Sequence, residues 1–198
     1  MWLILAFPAG AFLVQLILAN GRIVEGAEVI HVTGELSAWL LIAALLASPL
    51  ALILRGWRGP RWMLKNRRYL GVASFGYGAL HALTYLLDRR AFTDVVSELD
   101  RLEIWSGWVS FAILLPLAVT SSDYVVRRLG AVWKTLQRSV YVAAGFTALH
   151  WASFEEWGGI APTVLFFGPL LAFEGYRLWL LNSRPVGRLH SHDRSGGR

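Results

Sequence analysis

Six stretches of the chain, near residues 2–19, 35–54, 69–87, 104–120, 138–153 and 160–181, each run for roughly 17 to 21 residues with few charges. A bilayer core is about 30 Å thick, so each stretch is long enough to cross it as a helix. Backbone in lipid must satisfy its own hydrogen bonds, which leaves helices or a closed barrel. No segment alternates apolar with polar residues over about ten positions, as a barrel strand would. The fold class is therefore an all-α integral membrane protein with about six transmembrane helices. Composition agrees: 56% of the 198 residues are hydrophobic, 16% are charged and the mean hydropathy is +0.48. Residues 2–19 lack a basic leading region and a small-residue cleavage site, and read as a retained span.

The basic residues set the expected orientation. Arg55, Arg58, Arg61, Lys65, Arg67 and Arg68 follow the second stretch, and Arg127, Arg128, Lys134 and Arg138 follow the fourth. The C-terminal end adds Arg177, Arg184, Arg188, Arg194 and Arg198. Fifteen of nineteen basic residues thus fall on one side, which the positive-inside rule makes cytoplasmic, with both termini there. The other side carries Glu25, Glu28, Asp94, Glu98, Asp100, Glu103, Glu155 and Glu156. Trp57, Trp62 and Trp133 mark the cytoplasmic ends, and Trp105, Trp108 and Trp157 the outer ends. The net charge of +6 is explained by topology rather than by nucleic-acid binding. Residues 1–184 read as one membrane domain and 185–198, polar and rich in Gly, Ser and Arg, as a disordered cytoplasmic tail. Read span by span, the chain shows no internal repeat and no soluble domain.

The chain has no cysteine, so thiolate metal sites and iron–sulfur clusters are excluded and a metal must rest on histidine or carboxylate. Ionisable residues inside a span are costly and point to function. His81 lies 13 residues past Arg68 and His150 lies 12 past Arg138, so both sit about 18 to 20 Å from the basic boundary, at one depth nearer the outer surface. Two neutral imidazoles at one level on two helices suit the two faces of a haem iron. Gly78, Ser74 and Gly71 precede His81 on its face, and Thr147, Ala143 and Val140 precede His150, which keeps both faces small. The same residues allow a plainer reading, in which each histidine bonds a neighbouring helix and the small residues are ordinary close packing.

Several segments resemble a known family: His31-Val-Thr-Gly34, Arg67-Arg68-Tyr-Leu-Gly71 through Phe75, Tyr77 and Leu80-His81 to Tyr85, Leu117-Ala-Val-Thr-Ser121, and Trp133 through Val140-Tyr141 to Leu149-His150. Together, over about residues 31–157, they look like the MsrQ or YedZ family. These are haem-binding membrane subunits of the bacterial periplasmic methionine sulfoxide reductase system, within the ferric-reductase-like transmembrane domains. The resemblance implies a four-helix haem-binding core in the bacterial inner membrane, with haem b held by His81 and His150. It also implies electrons drawn from quinol or a flavin reductase, with quinone or FMN as accompanying cofactors, and passed to a periplasmic oxidoreductase. The chain departs from the family at Gln137, where a histidine is typical, and no histidine stands near Arg67. A single haem is the economical expectation.

Weaker candidates remain. His31 sits where it touches a quinone or propionate, or else is a solvated loop residue. Glu174, with Arg177 three residues on, reads as a paired carboxylate before a proton relay. Arg89, Arg90 and Arg101 suit propionates or a partner, or are ordinary loop charges; His190 and His192 lie in the tail. No catalytic residue is legible, so the expected role is electron transfer rather than stand-alone catalysis. A second reading is an accessory subunit of a larger respiratory or photosynthetic membrane complex, haem optional; a small transporter ranks third, because no span is broken at its midpoint.

Overall fold

The computed structural model describes Gly10, residues 26–89 and residues 92–183. Apart from Gly10, the expected first span and the tail lie outside the described residues, as do Arg90, His190 and His192. The chain forms α1 Gly26–Ile53, α2 Arg58–Asp88, α3 Phe92–Ser97, α4 Leu102–Val119, α5 Asp123–Leu129, α6 Ala131–Gln137, α7 Val140–Trp157 and α8 Ile160–Asn182. No strand occurs among the described residues.

The five long helices coincide with the expected second to sixth spans, but α1 and α2 begin nine and eleven residues earlier than the hydropathy does. Apolarity marks where lipid begins, whereas the Arg, Lys, Met and Leu residues within 58–68 sustain the start of α2 in water as well. Pro60 falls within the first turn of α2, where its missing N–H is not needed. With 31 residues, α2 is about 46 Å long, so its basic first third projects beyond a bilayer core. The connections read as loops contain the short helices α3, α5 and α6. Ser122 caps α5 by accepting the Val125 N–H at 3.4 Å, with Asp123 in the first turn and Arg127 and Arg128 in the last, which matches the helix dipole. Gly130, at φ 54°, supplies the left-handed turn into α6.

Among the described residues α1 (over Val29–Ile53), α2 and α4 are, by length and composition, long and apolar enough to cross a membrane. The exterior is apolar as well: Leu87, Val119, Leu165 and Leu171 are 75%, 66%, 67% and 73% exposed. Side chains of that kind belong against lipid.

Helix α1 pairs with α2, α4 pairs with α7, α2 touches α4, and α8 packs against α1 and α7. Leu41, Leu45, Leu114, Ala143, Phe167 and Leu170 meet in the core. The two helix pairs are built alike. Ser37 Oγ of α1 donates to the Ser74 carbonyl of α2 at 2.9 Å, and Ser110 Oγ of α4 donates to the Ala143 carbonyl of α7 at 3.0 Å. Ser74 returns a bond to the Ser37 carbonyl at 2.8 Å, and Ser110 meets Thr147 Oγ1 at 2.7 Å. Thr33-Gly34-x-x-Ser37 corresponds to Ser106-Gly107-x-x-Ser110, and Gly76-Tyr-x-Ala-Leu-His81-x-x-Thr-Tyr85 to Gly145-Phe-x-Ala-Leu-His150-x-x-Ser-Phe154. The chain therefore does contain an internal repeat, carried by a few contact positions scattered through dissimilar apolar residues.

Candidate functional site

The repeat places the two expected histidines in equivalent surroundings. His81 Nδ1 lies 2.8 Å from the Ile30 carbonyl of α1, and His150 Nδ1 bonds the Glu103 carbonyl of α4. A carbonyl only accepts, so each Nδ1 carries the proton. In a neutral ring this leaves Nε2 with the free lone pair, the tautomer a metal ligand requires.

Each accepting carbonyl stands four residues before a glycine, Gly34 or Gly107, in the same turn of helix. A Cβ on Gly34 would come within 2.9 Å of His81 Nδ1, and one on Gly107 within 2.8 Å of His150 Nδ1. Glycine is therefore what lets each imidazole reach the backbone of the neighbouring helix. The two ring centres stand 5.9 Å apart with their planes at 81°. Imidazole nitrogens bind first-row metals at about 2.0–2.1 Å, so trans ligands on one ion have ring centres about 6 Å apart. An Nε2 lone pair on each ring and this separation mean that His81 and His150 would suit one iron held between them. Among the described residues no group of three or more His, Asp or Glu gathers to hold a bare metal ion.

The other expectations fare differently. Ser74 and Gly78 face Ser37 of α1, and Ala143 and Thr147 face Ser110 of α4, so these small residues serve helix pairing rather than clearance over a ring. His31 is 63% exposed and pairs with Glu35 at 3.2 Å. Glu174 is bonded by Arg177 at 2.6 Å and by the Tyr141 hydroxyl at 3.0 Å, which is the paired-carboxylate reading. Arg89 pairs with Glu98 at 3.0 Å and Arg101 with Glu103 at 2.5 Å, so neither cation is unpaired. Gln137 donates to the Leu117 carbonyl at 3.2 Å and to Ser121 Oγ at 3.4 Å, which ties its amide to the end of α4. Gly34, Gly107 and the two carbonyls were missed by sequence reasoning; the signal that finds them is the repeat.

Residues 33–148 match the family model described as ferric reductase like transmembrane component. The chain belongs to this family. Similar proteins include MsrQ, the heme-binding subunit of protein-methionine-sulfoxide reductase, from Azospira oryzae, 40% identical over 56% of this chain and 48% of the relative. The Rhizobium meliloti MsrQ is 39% identical over 68% and 62%, and that of Ralstonia nicotianae 34% identical over 75% and 70%. The chain thus spans about half of the first of these relatives and 62% of the second. No solved structure matches it. Both glycine–histidine pairs fall within or beside the matched residues, Gly34, His81 and Gly107 inside and His150 two positions beyond.

Proposed function

We propose that this chain is a membrane electron-transfer subunit that holds one haem b between His81 and His150 and serves a methionine sulfoxide reductase. The observation that carries the reading is the equivalent seating of the two imidazoles, each Nδ1–H on a backbone carbonyl and each ring against a glycine, 5.9 Å apart. Haem b, when bound, supplies reversible one-electron chemistry at its iron. The residues of the chain supply the rest. The Ile30 and Glu103 carbonyls fix the tautomer and raise the basicity of each ring. With His81 and His150 both given to the group, the site would suit electron relay, and reduction of the sulfoxide belongs to a partner.

Residues 1–184 are read as one domain of six spans in a bacterial inner membrane, with the basic end and both termini cytoplasmic. The histidine level lies nearer the outer end, which suits delivery to a periplasmic oxidoreductase. Quinol or a flavin reductase at the cytoplasmic end is the donor. Gln137, held by α4 rather than presented as a ligand, supports one haem and not two.

The test is a pyridine haemochrome assay on the purified chain, followed by anaerobic addition of a quinol. Close to one haem b per chain, reduced by the quinol and reoxidised by a periplasmic methionine sulfoxide reductase, is expected. A chain that folds without haem and co-purifies with other integral subunits would instead be an accessory subunit.

A further inference from the structure

A cavity of about 380 Å³ opens at the basic end of the bundle, and neither histidine lines it. Counting back from His81 and His150, its wall residues Arg67 and Arg138 lie 14 and 12 positions away, about 18 to 21 Å along their helices. It is therefore separate from the histidine site.

Its chemistry is uneven in a way the proposed function does not use. Arg68 and Arg177 in its wall are neutralised by Asp123 and Glu174. Arg67, Lys134 and Arg138 have no carboxylate partner among the described residues; Arg67 bonds only the Ser48 hydroxyl, at 3.2 Å. Trp133 also lines the cavity, and its buried indole N–H has no acceptor among the described residues. A buried donor without a partner is costly, and three cations around one space, from α2, from α6 and from the turn after α6, repel each other unless an anion joins them. The floor is aliphatic, formed by Leu41, Leu45, Leu114 and Leu117. Cationic rim, unfilled N–H and apolar floor together describe a receptor for an anion attached to a hydrocarbon. Basic pockets between membrane helices bind anionic headgroups on this principle.

We propose that this cavity seats the phosphodiester headgroup of an anionic phospholipid from the leaflet that meets the basic end. Arg67, Lys134 and Arg138 bind the phosphate, the Trp133 N–H donates to one of its oxygens, and an acyl chain lies along the aliphatic floor. The inference rests on the membrane and single-haem reading, since a second haem would compete for the same space.

Native mass spectrometry of the haem-loaded chain in mild detergent, titrated with phosphatidylglycerol, phosphatidylcholine or inorganic phosphate, tests it. Phosphatidylglycerol is expected to bind with at least tenfold preference over phosphatidylcholine, and inorganic phosphate not to displace it at equal concentration. Roughly fivefold in affinity per cation at a membrane surface makes the triple variant Arg67→Gln, Lys134→Gln, Arg138→Gln about a hundredfold weaker. Trp133→Phe, which keeps the ring and removes the N–H, is expected to lose a smaller, several-fold part. The haem-to-chain ratio, read from the same samples, stays unchanged in both variants. Equal binding of phosphatidylcholine, displacement by inorganic phosphate or by a quinone, or loss of haem in the triple variant would each overturn the inference. Wild-type protein lacking haem would sink the proposed function instead, and the lipid titration would still read the cavity.

Discussion

At the scale of single residues, the site depends on what Gly34 and Gly107 lack. A methyl group at either position overlaps an imidazole nitrogen, at 2.9 and 2.8 Å, and the ring must leave its carbonyl or the helices must part. Such overpacking costs about 1–3 kcal/mol. Gly34→Ala and Gly107→Ala are each expected to lower haem retention and to shift the haem midpoint potential, with the helix content by circular dichroism preserved. An unchanged potential in both would mean that the glycines do not seat the rings. His81 and His150 were legible in the sequence because a titratable group deep in an apolar span demands a reason. Their carbonyl and glycine partners were not, because a missing Cβ has meaning only relative to a neighbouring helix. Gly78, Ser74 and Thr147 were legible as small, but their partners Ser37 and Ser110 turn that smallness towards helix pairing.

At the scale of elements, the two pairs α1–α2 and α4–α7 use one interlock twice. Interhelical bonds in lipid are worth about 0.6 kcal/mol on average, with a maximum near 1.7. Ser110 makes two such contacts, to Ala143 and Thr147, so Ser110→Ala is expected to cost roughly 1 kcal/mol in detergent unfolding. Ser37→Ala, which removes one such bond and leaves the Ser37 carbonyl for Ser74, is expected to cost about 0.6 kcal/mol, and a tenfold disparity between the two would contradict the equivalence of the pairs. The reversal from α7 to α8 passes through Gly159, where any Cβ would fall inside the Trp151 carbonyl. Gly159→Ala is therefore expected to reduce folded yield more than either serine change does, read by size exclusion of the solubilised protein. Hydropathy located the five long helices but not the early starts of α1 and α2, since it measures affinity for lipid rather than backbone conformation. The repeat escaped a reading by span because it resides in Gly, Ser and His contact positions while the lipid-facing residues between them differ.

At the scale of the molecule, the fold gathers the basic first third of α2, the α6–α7 junction and the end of α8 at one end. The charge asymmetry of the sequence becomes a physical polarity, with the histidine pair towards the opposite end. The chain has no cysteine, so a thiol introduced at one position is its sole target for a membrane-impermeant maleimide. Cysteine at Asp100 is expected to label from outside intact cells, and cysteine at Lys65 only after the membrane is opened; the reverse pattern would invert the direction proposed for electron flow.

The central claim is that both histidines ligate one iron, and electron paramagnetic resonance of the oxidised protein tests it most directly. A low-spin ferric signal of bis-imidazole type is expected, strongly anisotropic because the two rings stand at 81°, and converted to high spin or lost in both His81→Ala and His150→Ala. A low-spin signal that survives either substitution would contradict the account.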